Sequence, residues 1–218
     1  MNIQNQSAIV TGAGSGIGQA VAIELAGRGA KAVCLVDRSE SVLQVVRLIN
    51  DRMDAHIAEA WIGDATDEDF RHKTFDSVCS KYGAPGICVP AAGITRDQLA
   101  VKIDKETGKA QIYPIELFRL VCEVNLIAPV YWAIETVARI AEQRRRKGLG
   151  RWEPHEGIQG TVIFIGSISS QGIPGQIAYG TTKAALEGVA ATLSKESMYH
   201  GVRCAVIHPG FTDTPMVR

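Results

Sequence analysis

Residues 7–37 read SAIVTGAGSGIGQAVAIELAGRGAKAVCLVD, and this stretch decides the fold class. A short run that is apolar throughout meets a glycine cluster, a segment of helical period follows, and a second apolar run ends on Asp37. Strands without polar alternation belong in a parallel sheet buried on both faces, joined by helical crossovers. Glycines at 12, 14, 16 and 18 spell T-G-x-x-x-G-x-G rather than G-x-G-x-x-G, because position 17 is isoleucine. A turn built this way lets backbone N–H groups and a helix N-terminus come close to a pyrophosphate. Glycines are common in any strand-to-helix turn, so the motif needs support from elsewhere.

Asp37 supplies some. It ends the second apolar run, 19 residues after Gly18, where a carboxylate can bind the hydroxyls of an adenosine ribose. The competing role is an ordinary cap on the next helix. A carboxylate there repels a 2′-phosphate, and Ser15 offers no basic grip for one, which favours NAD(H) over NADP(H). Arg38 is the counter-argument, since it sits beside the ribose and could neutralise a phosphate.

The same alternation continues outward. HIAEAWIGD, GICVPAAG, TVIFIGS and VRCAVIHPG read as further strands, and helices are expected over about 114–146 and 178–200. Residues 95–113 hold a polar Lys-Glu-Thr-Gly-Lys turn and predict a small surface hairpin. Residues 144–160 form a Gly- and charge-rich loop, with Arg144 to Lys147 read as a solvated helix C-terminus. With 218 residues, 46% hydrophobic, the chain suits one domain spanning 1–218.

Charge and cysteine content exclude several classes. Lys+Arg and Asp+Glu number 23 each, so no global field favours nucleic acid or an anionic membrane. No apolar stretch is read as long enough to span a bilayer, and the N-terminus lacks the pattern of a signal peptide. The five cysteines are odd in number and scattered without C-x-x-C, which suits small buried hydrophobes in a reducing, cytoplasmic setting. The histidines show no ligand spacing, and no metal site is expected.

Tyr179 and Lys183, in IAYGTTKAAL, stand four apart on a predicted helix and so share one face. A phenol near its ordinary pKa of about 10 is a poor acid or base at neutral pH, and a cation beside it is expected to lower that value.

Together, TGAGSGIG, GDATD, AAG, VNL, YGTTK and HPGFTDTPM resemble the short-chain dehydrogenase/reductase family over nearly the whole chain. The resemblance implies an α/β fold of the Rossmann type, a doubly wound parallel sheet with helices on both faces. It implies that Tyr179 exchanges a proton with the substrate oxygen, that Lys183 grips the nicotinamide ribose, and that a serine after the TVIFIG strand orients the substrate. Ser167 matches best, with Ser169 as runner-up and Ser170 tightening the turn. Asn125 matches the asparagine whose helix distortion holds a water leading to the lysine. Gly12, Ser15, Gly16, Ile17 and Gly18 would line the dinucleotide with Asp37 and Arg38. Asp64 and Ala65 match the adenine contacts, although Asp64 could equally cap the following helix. Ala92 and Gly93 follow the next strand, and Pro209, Gly210, Thr212 and Thr214 would hold the carboxamide.

Two departures stand out. Pro90 in VPAAG occupies the first position of the family's Asn-Ala-Gly or Asn-Ala-Ala-Gly, and a local rearrangement is expected there because proline has no N–H. The chain also stops at TPMVR, where family members continue through a lid, a helix and an edge strand, so a bare sheet edge and a part-open pocket are expected. The resemblance implies an oxidoreductase for a small-molecule secondary alcohol or ketone, with 3-oxoacyl thioester reductases and type II 3-hydroxyacyl-CoA dehydrogenases nearest in flavour. Homodimer or homotetramer formation through the two long helices is also implied. A catalytically silent dinucleotide-binding protein, or an epimerase or dehydratase, remains as an alternative on the same fold.

Overall fold

In the computed structural model, which describes residues 2–214 and Met216, the apolar runs of the sequence become six parallel strands. They are β1 (Ser7–Thr11), β2 (Ala32–Asp37), β3 (Ala58–Ile62), β4 (Ile87–Pro90), β7 (Gly160–Ile165) and β8 (Val202–Ile207), with β5 (Val101–Ile103) and β6 (Ala110–Ile112) forming a separate hairpin. The sheet order β3-β2-β1-β4-β7-β8 places the chain's turn-around between β1 and β4. An open α/β sheet binds ligands at the carboxyl end of its strands at that point.

Both faces of the sheet are covered, which is why its strands lack polar alternation. Val10, Leu35 and Val89 pack under α1 (Gly16–Gly27) and α2 (Ser41–Met53). On the other face Ile9, Val36 and Phe164 meet Phe75 of α3 (Glu68–Tyr82), Trp132 of α5 (Ala128–Arg146) and Leu186 of α6 (Ile177–Ser197). β8 is the outermost strand among the described residues; its Ile207 is 45% exposed.

The long helix expected at about 114–146 is interrupted. α4 (Ile115–Cys122) runs into a π-helical turn at Glu123–Ile127 before α5 begins. Pro129 has no N–H to return to the carbonyl of Asn125, four residues back, so a regular α-helical ladder cannot pass this point. By length and composition Ile115–Arg146 is apolar enough to cross a membrane, which corrects the expectation that no stretch was. Its inner face is a protein core, however, with Trp132, Ala133 and Thr136 fully buried.

Pro90 ends β4. The N–H of Ala91 donates to Thr11 O on β1, so position 90 turns its amide toward β7, where proline donates nothing. The β4–β7 pairing accordingly stops at Cys88↔Val162, while β1–β4 pairing continues to Thr11↔Pro90.

The reading of 144–147 as a solvated terminus fails at its first residue. Arg144 is 3% exposed and forks onto Glu156 at 2.6 and 3.1 Å, pinning the following loop to the helix end. A second buried network joins α3 to α5. Glu135 accepts from Arg71, His72 and Arg139 at 3.0, 2.8 and 2.9 Å. Burial pushes the Glu135 carboxyl up, but these three donors outweigh it and hold it below the usual range. The hydrogen bond to Glu135 chiefly raises His72.

Removing the Glu135 charge leaves the buried Arg71 only its longer 3.5 Å contact with Glu68, so Glu135→Gln should cost about 3 kcal/mol of stability. Glu135's contribution is complete above its ordinary value and lost as pH falls through the lowered one. His72's contribution is complete below its ordinary value and lost as pH rises through the raised one. The gap between wild type and Glu135→Gln in urea unfolding should therefore be widest between pH 4.5 and 6.5, the two ordinary values.

Candidate active site

Two adjoining clefts of about 340 and 300 Å³ open at the carboxyl end of the sheet and share Ile17, Ile165, Tyr179, Thr214 and Met216. The first runs along the glycine turn. Gly12 adopts φ +66° and a Cβ on it would lie 2.7 Å from Ala92 Cα, so only glycine lets β1 pass so close to the segment after β4. A Cβ on Gly18 would sit 2.3 Å from Gly12 O. Thr11 completes the junction, its Oγ1 accepting from the Ala92 N–H at 3.1 Å. Asp37 is not a helix cap: Oδ2 accepts from Gly14 N and Oδ1 from Ser39 N, both at 2.9 Å. Ser41, which sequence reasoning passed over, donates to Gly14 O at 3.2 Å and locks the same loop.

This cradle fits a dinucleotide. The α1 N-terminus has no side-chain cap and no acidic residue in its first turn, and Ser15, Gly16, Ile17 and Gly18 line the cleft there. The first N–H groups of a helix lack intrahelical partners, so this end can receive a pyrophosphate. Asp37 and Arg38 line one end, with Asp64, Ala65, Ala92 and Gly93 beyond them. Asp64 accepts from the backbone and hydroxyl of Thr66, while Asp67 caps α3, so the capping alternative for Asp64 does not hold.

Three polar side chains meet where the clefts adjoin: Lys183 lines the first, Ser167 the second and Tyr179 both. Lys183 is 5% exposed and its Nζ donates to Ile165 O at 2.8 Å. Burial pulls its ammonium down from the ordinary 10.5 to about 8. Its Nζ lies 5.5 Å from the centre of the Tyr179 ring. The expected lowering of Tyr179 by this cation is corrected by the structure. Burial pushes the phenol above its ordinary value, a hydrogen bond with Ser167 opposes that, and the Asp97 carboxylate adds to the rise. Of the three serines, Ser167 is the one turned to Tyr179. The Ser169 N–H donates to Ser167 Oγ at 3.1 Å, and Ser170 donates its N–H to Ser167 O at 3.1 Å. Gly180 makes room for this turn, since a Cβ there would lie 2.7 Å from Ser169 O.

Asn125 is fully buried in the π-helical turn, exchanging two 2.8 Å hydrogen bonds with the backbone of Ile94. Its side chain is thus spent on holding the Gly93–Ile94 backbone beside Lys183. Pro209, Gly210 and Thr212 line the second cleft and Thr214 lines both; Pro215 of the same motif lies outside the described residues. Asp97, held by Gln176 Nε2 at 2.7 Å, enters from the hairpin arm and was not singled out from sequence. Among the described residues no group of three His, Cys, Asp or Glu side chains is placed to hold a metal ion.

The sequence model described as short chain dehydrogenase matches residues 6–218. The chain belongs to the short-chain dehydrogenase family. Members of this family are oxidoreductases that use NAD(P). The 3-oxoacyl-(acyl-carrier-protein) reductase FabG of Escherichia coli K12 is 31% identical over 219 residues, spanning 100% of this chain and 78% of the relative. A (3R)-3-hydroxyacyl-CoA dehydrogenase of Canis lupus familiaris is 29% identical over 226 residues, again 100% of this chain and 78% of the relative. A solved structure from Sinorhizobium meliloti 1021, described as a short-chain alcohol dehydrogenase, superposes with TM-score 0.80 at 26% identity, covering 99% of this chain and 75% of its own.

Two outcomes test the geometry. Gly12→Ala should weaken NADH binding at least about tenfold in a fluorescence titration, because positive φ and backbone contact both oppose a methyl group. Gly27→Ala, with nothing within 4 Å of the added atom, should leave binding unchanged. For Lys183, the unfolded chain holds more protons between pH 8 and 10.5, so wild-type stability should rise with pH over that window. Lys183→Met should remove a rise of about 3 kcal/mol, read as the difference between the two unfolding curves.

Proposed function

We propose that the chain is an NAD(H)-dependent oxidoreductase interconverting a secondary alcohol and a ketone, with residues 1–218 acting as one catalytic domain. The observation that carries this reading is the convergence of Tyr179, Ser167 and Lys183 at the junction of the two clefts. Bound along the glycine turn, a nicotinamide dinucleotide supplies or accepts the hydride.

The chain's own residues handle the proton. Tyr179 donates from its phenol to the carbonyl oxygen in reduction and takes the proton back in oxidation. A phenol held protonated by burial is the form that reduction requires. Ser167 hydrogen-bonds the same substrate oxygen and orients it toward Tyr179. Lys183 has spare ammonium protons beyond the one given to Ile165 O, and directs them at the nicotinamide ribose and toward Tyr179. Asn125 holds the Gly93–Ile94 backbone that walls this side, and by the family resemblance the helix distortion around it would hold a water leading to Lys183.

Asp37 supports NAD over NADP, since a 2′-phosphate would meet its carboxylate and Ser15 provides no cation. The names of the two relatives support a 3-oxo- or 3-hydroxyacyl thioester as substrate. The apolar side chains of Ile168, Ile173 and Phe211 around the second cleft suit an alkyl chain. The five free cysteines fit a cytoplasmic enzyme. The exposed stripe Leu120, Ile127, Tyr131 and Ile134 along α4, the π-helical turn and α5 supports a homodimer or homotetramer.

Tyr179→Phe should reduce ketone turnover by about 10³-fold or more while NADH binding changes less than about threefold. In the same titrations NADH should bind at least about tenfold tighter than NADPH. Tyr179-independent turnover would remove the proposed acid. Binding without any turnover would support the silent dinucleotide-binding reading, and tighter NADPH binding would assign the ribose to Arg38.

A further inference from the structure

The loop after β7, which carries Ser167, and the loop after β8, which carries Pro209 to Thr214, are joined by one side chain. His208 Nδ1 lies 3.1 Å from Ser167 O. A carbonyl oxygen only accepts, so Nδ1 carries the proton in this contact. The last registered pair of β7 and β8 is Ile165↔Ile207, and Gly166 N still donates to Ile207 O at 2.7 Å. Beyond it Pro209 has no N–H, so the ladder cannot continue. The His208 side chain supplies the next link.

The neighbouring residue is shaped for that ring. A Cβ on Gly166 would fall 2.7 Å from both Nδ1 and Cε1 of His208 and 2.7 Å from Val206 Cγ1. No positive φ calls for glycine at 166, so the requirement is space for the imidazole. On the far edge of the ring Glu187 of α6 stands 3.7 Å from Nε2, too long for a hydrogen bond. Ser167 O thus receives two donors, Ser170 N–H and His208 Nδ1–H, while Ser167 Oγ is engaged with Ser169 N–H and Tyr179.

We propose that His208 is a positioning residue for the reaction: its Nδ1–H clamps the carbonyl of Ser167 and so fixes the angle at which the Ser167 hydroxyl meets the substrate oxygen. The inference rests on the reading of Ser167 and Tyr179 given above. A hydroxyl held by a turn of small residues is free to rotate with its peptide, and a misplacement of about 1 Å at such a group can cost up to about a hundredfold in rate. The clamp acts on orientation in the transition state, and therefore on kcat more than on binding.

The test compares wild type, Tyr179→Phe, His208→Leu and His208→Asn in steady-state ketone reduction at saturating NADH, with NADH binding followed by fluorescence. Leucine keeps bulk without a donor, whereas asparagine presents an amide N–H close to the Nδ1 position. His208→Leu should lower kcat about tenfold, with KM and NADH binding within about twofold, and His208→Asn should recover most of the loss. Nitrogen-15 spectra of the ligand-free chain should show His208 with a proton on Nδ1. An unchanged kcat in His208→Leu, equal losses in the two His208 variants, an equal weakening of NADH binding, or a ring protonated on Nε2 alone would each overturn the clamp. Turnover that survives Tyr179→Phe, or is absent from wild type, would instead overturn the oxidoreductase reading and this inference with it.

Discussion

Everything at the carboxyl end of the sheet depends on how closely the backbone of Gly12 approaches the backbone of Ala92. Thr11 gives that approach its register, accepting the Ala91 N–H on its carbonyl and the Ala92 N–H on its hydroxyl. The chain then leads through Gly93 to Ile94, which Asn125 holds by both backbone groups. A Cβ on Gly93 would already touch Asn125 Oδ1 at 3.4 Å and come within 3.9 Å of Lys183 Nζ. The dinucleotide cradle and the lysine are therefore parts of one packed layer, and a methyl group added at position 12 acts on both.

The same layer explains the state of the ionisable groups. Lys183 is driven inward by α6, where its Nζ donates to Ile165 O. Desolvation therefore dominates and weakens its charge. Tyr179, next to it, is governed by its own burial and by Ser167 rather than by the lysine. Sequence spacing places two side chains on one helix face; it does not say which of them loses more water. Both shifts follow from depth beneath the α6 N-terminal turn, where Gly180 lets the Ser167–Ser170 turn close over the helix.

Farther from the site, the structure replaces surface expectations with buried ion pairs. Arg144 looks from sequence like the start of a basic run at a helix end, yet it turns inward because Glu156, twelve residues on, is brought back by a capped turn. Glu135 lies on the inner side of α5 and gathers three partners, Arg71, His72 and Arg139, from two helices. Arg139 is a helical neighbour of Glu135, but Arg71 and His72 come from a distant helix. Hairpin residues show the opposite behaviour: Val101, Ile103 and Ile112 are apolar but exposed, because a two-stranded ribbon has only one other strand to cover it.

What the sequence determined by itself was the local chemistry whose cause is local. Unbroken apolar runs dictated a sheet buried on both faces, glycines marked the turn after β1, and Pro129 marked where the long helix could not stay regular. The strand order, the hydrogen bond between Ser167 and Tyr179, the upward shift of Tyr179 and the His208 link were decided only in three dimensions. Each depends on which groups lose water together, and that is set by the packing of β4, β7, β8 and α6, segments separated by dozens of residues whose contact no short-range pattern encodes.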